Sequence, residues 1–210
     1  MIGIIKRDLT VMFSNKRDRF FMLLYIPFLI FIIDSYEPKW LYFAIIIAYT
    51  YVLSITSFSY DVSGKSKYVL NSLPINAKEI VLYKYLSTFV YFAITIVYVG
   101  GYLWIINALK IKPVDYFNLE MIVKALPVIM ISTSIVFPAY FRFEPKIAQI
   151  IHMIVFMSLF VGLANLNSVG IDSLAYHMRF LRGTSGLVVV IGLYILSLIL
   201  SMKLYQNRDL

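Results

Sequence analysis

The chain has 210 residues, 61% of them hydrophobic and 14% charged, with a mean hydropathy of +0.83. A soluble domain of this size cannot enclose so much apolar surface, and the apolar runs are continuous where a membrane barrel would alternate; an all-α integral membrane protein is expected. The net charge of +8 sits in segments flanking those runs, where it sets topology and meets lipid rather than nucleic acid, and the lack of cysteine excludes disulfides and thiolate metal sites.

In chain order, Met1–Phe13 carries Ile2, Ile5, Leu9 and Met12 at helical spacing, with Lys6, Arg7, Asp8 and Thr10 elsewhere on the wheel. It is too charged to span and predicts an amphipathic interfacial helix over 1–15. No basic region leads into an apolar stretch with a small-residue cleavage site, so no removable signal peptide is expected. Lys16, Arg17 and Arg19 precede a first span at Phe20–Ile33. Its 14 uninterrupted apolar residues include Pro27 and need snorkelling flanks or a thinned bilayer to cross. Trp40–Phe58 is the second span.

The segment 59–84, SYDVSGKSKYVLNSLPINAKEIVLYK, is the longest polar interruption. Asp61–Leu73 predicts a short helix with Val69, Leu70 and Leu73 on one side, Lys65, Tyr68 and Ser72 on the other, and Pro74 ending it. A new helix then starts with Asn76 as N-cap and Glu79 at the capping-box position, Ile75 and Ile80 being placed for a hydrophobic staple. A two-faced helix hung beneath a span predicts a docking element within 60–76. Gly64-Lys65-Ser66 is not a phosphate loop, because Ser59 stands where that motif needs its first glycine.

Four further spans are expected at about Tyr85–Ala108, Met121–Tyr140, Ile147–Leu166 and Ser185–Met202, making six transmembrane helices. Pro145 suits the first turn of the fifth. Ile171, Leu174, Met178 and Leu181 predict a short interfacial helix in the outer segment 167–184, with Asp172 as its N-cap. Lys and Arg number 13 on the side of the termini and the 59–84 segment, against 6 on the other. The positive-inside rule therefore places both termini in the cytoplasm.

His152 and His177 are the only histidines and fall on opposite sides in this topology, so a zinc-protease site is not expected and no catalytic or metal-binding residue is assigned. His152 either carries protons or hydrogen-bonds a neighbour. The central part of every expected span is free of charge, Lys84 and Lys124 being placed at ends, whereas proton- or sodium-coupled carriers usually need such groups. Driving energy would then enter from outside the membrane. Ser54, Ser132 and Ser134, with Tyr49, Tyr91 and Tyr98, are candidates for lining a substrate pathway; helix–helix hydrogen bonding is the alternative.

The pattern Ser72-Leu73-Pro74, Lys78-Glu79-Ile80-Val81, Lys84-Tyr85, together with the amphipathic N-terminus, the run FPAYFRFEPK and a short charged tail, resembles the small branch of ABC-2-type transporter permeases. Within that branch it resembles the membrane subunits of phenol-soluble modulin exporters. Phe143-Glu144-Pro145-Lys146 departs from the pattern, which has a glycine and an aromatic residue before the acidic–basic pair. The resemblance implies a single ABC-2-type transmembrane domain over 1–210, in a bacterial cytoplasmic membrane, dimerised with a second copy or a paralogue. It also implies docking on a separate ATP-binding-cassette ATPase that binds the ATP and Mg, leaving this chain with no cofactor and no enzymatic step. ATPase contacts are implied at Lys65, Lys67, Tyr68, Asn71 and Ser72, and at Arg142 and Lys146 in the second inner loop. The implied cargo is an amphipathic or membrane-active peptide. Two alternatives stay open: a non-transporting immunity protein that binds a toxic peptide, and an unrecognised intramembrane enzyme.

Overall fold

The computed structural model describes residues 2–32, 38–62, 76–164 and 184–207. Those residues form α1 (Ile2–Ser14), α2 (Lys16–Ile32), α3 (Pro38–Val62), α4 (Ala77–Ala108), α5 (Leu119–Arg142), α6 (Pro145–Ala164) and α7 (Thr184–Gln206). Five of them, α3 to α7, are long and apolar enough to cross a membrane. The apolar stretch of α2, Arg19–Phe31, is shorter. At 1.5 Å per residue it covers about 20 Å of a hydrocarbon core about 30 Å thick. The first expected span is therefore a helix whose apolar stretch, among the described residues, is shorter than the hydrocarbon core.

Capping explains where the long helices begin. Asn76 Oδ1 accepts the Lys78 N–H at 3.2 Å, the N-cap role its sequence position predicts, and α4 starts at Ala77, well before Tyr85. Asn118 Oδ1 does the same for the Met121 N–H at 3.2 Å, opening α5. Pro145 is the first helical residue of α6, where its missing N–H removes nothing the helix needs. The 167–184 segment and its expected short helix lie outside the described residues.

Helix α3 is the axis of the bundle: every residue from Trp40 to Tyr51 is buried. Helices α4 and α5 pack along it, α7 closes against α4 and α5, and α6 lies outside on α5 and α3. Helices α1 and α2 flank α3 on the remaining side. The core divides along the bundle axis. One cluster joins Ile26, Leu29, Tyr42 and Ile45 to Val99, Leu103 and Ile129. The other joins Ile55 and Phe58 to Tyr85, Phe137, Tyr140 and Tyr194, at the end where α3 finishes and α4 begins. The outer face of α6, including Ile150, Met153, Ile154 and Met157, is exposed, as suits a helix whose solvent is lipid.

Candidate functional site

Helices α1, α3 and α4 meet at the end of the bundle where the chain leaves α3 and re-enters α4, and four charges join them there. Lys84, two turns into α4, is only 2% exposed. Its Nζ donates to Asp8 Oδ2 at 2.7 Å, to Asp61 Oδ2 at 2.5 Å and to the Ser57 carbonyl at 3.1 Å. These bonds use all three ammonium protons. Arg7 completes the ring, its Nη2 reaching Asp8 Oδ1 at 2.6 Å and Asp61 Oδ1 at 2.5 Å, while Nε adds a bond to Asp8 Oδ1 at 3.0 Å. Each carboxylate accepts from both cations, and each cation holds both carboxylates. The Phe58 ring backs the ammonium, its centroid 5.1 Å from Nζ.

The ring balances two positive charges with two negative ones, which is the condition for keeping ions out of water. Removing one partner of such a pair costs about 3–5 kcal/mol, because the other is left buried and uncompensated. Arg7, about one third exposed, is the solvent side of the ring. Burial pulls its pKa down, but the charge of Asp61 and the bonds to Asp8 outweigh this and hold it above its ordinary value. Asp8 corrects the amphipathic-helix expectation. It lies one turn from Met12, and both side chains are buried, so the inward stripe of α1 runs through a carboxylate rather than leaving it on the polar face. Lys84 sharpens a second expectation. It stands near a span end as expected, but as an interior charge held by protein groups.

The next residue on α4, about 100° further round the helix, ties the opposite side of the bundle. Pro138 in α5 has no N–H to give the Ser134 carbonyl one turn back. Ser197 Oγ on α7 donates to that carbonyl instead, at 2.6 Å. Its only proton being spent there, Ser197 accepts from Tyr85 OH at 2.7 Å, and Tyr85 OH accepts from Ser201 Oγ at 2.8 Å. Tyr194 OH donates to the Tyr85 carbonyl at 2.8 Å. Lys84 and Tyr85 together therefore bind α1, α3, α5 and α7 to α4.

The other sequence-derived candidates fall into three groups. Lys65, Lys67, Tyr68, Asn71 and Ser72 lie outside the described residues. Arg142 and Lys146 are exposed at the turn between α5 and α6, on the same end of the bundle as the ring. The six pathway candidates face inward: Ser54 Oγ donates to the Thr50 carbonyl at 2.9 Å, Ser132 Oγ to Val128 at 2.6 Å and Ser134 Oγ to Met130 at 2.6 Å. Tyr91 and Tyr49 are buried, and the Tyr49 and Tyr98 rings sit 5.4 Å apart between α3 and α4. None of the six lines the cleft of about 690 Å³ that opens between α2 and α6, whose walls include Phe21, Tyr25, Phe28, Val52, His152 and Phe156. His152 there hydrogen-bonds Tyr51 OH through Nδ1 at 3.0 Å and stacks on its ring, the second of the two roles expected for it.

Sequence reasoning had a signal for the ring and did not use it. On α3, Thr50, Ser54, Ser57 and Asp61 recur at four- and three-residue steps; on α4, Lys84, Thr88, Tyr91 and Thr95 do the same. That spacing marks one face of each helix, and the two faces are bonded at their charged end, where Asp61 and the Ser57 carbonyl hold Lys84.

A bundle of five long apolar helices with a buried, charge-balanced ring and an apolar exterior defines a multi-pass membrane protein. A family model described as ABC-2 family transporter protein matches residues 3–206, and the chain belongs to that family. No curated protein and no solved structure matches it. Family membership makes it the membrane subunit of an ABC transporter, a class that in general works with an ABC ATPase partner.

Proposed function

We propose that this chain is the permease of an ATP-driven exporter in a bacterial cytoplasmic membrane, acting as a dimer with a second copy or a paralogue. Both termini and the 63–75 segment face the cytoplasm, and α2 crosses as a sixth, short span with help from its basic flank. A separate ATP-binding-cassette ATPase, carrying the ATP and Mg, docks on Lys65, Lys67, Tyr68, Asn71 and Ser72, with a second contact at Arg142 and Lys146. The cargo is an amphipathic or membrane-active peptide. The observation that carries this reading is the position of the charged ring: Asp61 ends α3 just before the segment and Lys84 follows just after it. A push on the docking segment would thus reach buried helix contacts directly. A ligand shifts such an equilibrium only through its different affinity for the two states, so the ATPase contact must change between them.

The test is co-purification. Lys67→Glu combined with Tyr68→Ala is expected to lose the ATPase while the permease still inserts in the membrane. Undiminished co-purification of the double variant would remove the docking assignment. Protection against a toxic peptide that persists without any ATPase would favour the immunity alternative.

A further inference from the structure

We infer that the Arg7–Asp8–Asp61–Lys84 ring is a coupling tether, through which movement of the docking segment is delivered to the N-terminal helix α1; this rests on the transporter reading above. Two observations and one general property of buried ion pairs support it. The ring joins one helix that lies before the bundle to the two helices that flank the segment, and Asp8 and Arg7 are the α1 groups that make the join. Buried ion pairs rarely exceed apolar residues in net stability, so a purely cohesive role would be met as well by leucine and methionine. The bonding is also closed and doubly shared: when one contact lengthens, each charge keeps its other partner, and no step of a relative movement passes through a bare buried charge. An apolar contact of the same area has no such directional memory, because hydrophobic burial is non-directional. Lys84 and Asp8 are in this sense positioning residues, acting through the helices they hold.

The experiment removes charge in balanced pairs, so that folding and coupling separate. Asp8→Asn with Lys84→Gln leaves Arg7 paired to Asp61; Arg7→Gln with Asp61→Asn leaves Asp8 paired to Lys84. Each double variant is purified with the ATPase and reconstituted in anionic vesicles, and both ATP hydrolysis and uptake of a fluorescent amphipathic helical peptide are measured. Assembly and hydrolysis are expected within about twofold of wild type for the Asp8/Lys84 variant, with the peptide moved per ATP reduced at least tenfold. Asp8→Glu, which keeps the charge, should retain most of the transport that Asp8→Asn alone loses. If the Asp8/Lys84 variant does not accumulate, the Arg7/Asp61 variant is read by the same ratio. A balanced variant that accumulates and transports as many peptides per ATP as wild type overturns the tether. Wild type that neither assembles with the ATPase nor moves peptide overturns the transporter reading instead.

Discussion

Tyr85 OH lies 2.7 Å from Ser197 Oγ, and the proton that Ser197 would otherwise return goes to the Ser134 carbonyl at 2.6 Å. A proline thus creates an acceptor in one helix, a serine from a second helix fills it, and a tyrosine from a third completes the serine. The same tyrosine rests edge-on against Phe137, its ring centroid 4.9 Å away, so the polar junction is sealed by aromatic packing.

This geometry makes Ser197 and Pro138 energetically dependent. Ser197→Ala leaves the Ser134 carbonyl without its donor and should lower stability by about 0.6–1.7 kcal/mol, the range of interhelical hydrogen bonds in membranes. In a Pro138→Ala background the helix supplies its own N–H, and the same substitution should cost less, what remains being the acceptor that Tyr85 OH loses. Thermal unfolding of the four proteins in detergent measures the cycle. Equal losses in both backgrounds would show that the serine does not serve the proline's carbonyl.

Gly100 makes a second dependent pair. A Cβ there would overlap the Phe117 ring, and Phe117 itself holds a left-handed backbone with φ of 52°. Gly100→Ala must therefore displace the Phe117 ring, which is about half exposed, so the net loss should be at most about 1 kcal/mol after the helix propensity that alanine gains. Phe117→Gly removes both the obstruction and the unfavourable backbone, so the double variant should melt above Gly100→Ala alone. Failure of that rescue would mean that α4 meets another obstacle at this turn.

The absence of cysteine allows orientation to be tested cleanly. Lys112→Cys should react with a membrane-impermeant maleimide in intact cells. Lys65→Cys and Asn207→Cys should react only after permeabilisation. Labelling of all three in intact cells, or the reverse pattern, would contradict the inward placement of the docking segment.

Much of this protein is set by composition and local pattern alone. Continuous apolar runs require helices because lipid offers the backbone no hydrogen bonds. Asn76, Asn118 and Pro145 mark helix starts because capping is a matter of a few neighbouring residues. The pattern ending in Lys84 and Tyr85 resembles ABC-2 permeases, and the family match over 3–206 bears out that much. Other features depend on which faces meet. Asp8 looked like part of a wet helix face and Lys84 like a charge at a membrane edge; each is buried only because the other arrives from 76 positions away in the chain. Which polar side chains satisfy themselves on their own helix, which satisfy a neighbour, and whether a carboxylate on α1 points to water or to an ammonium are settled by packing. A charge can leave water only when a specific partner is brought to it, and only the folded bundle brings that partner.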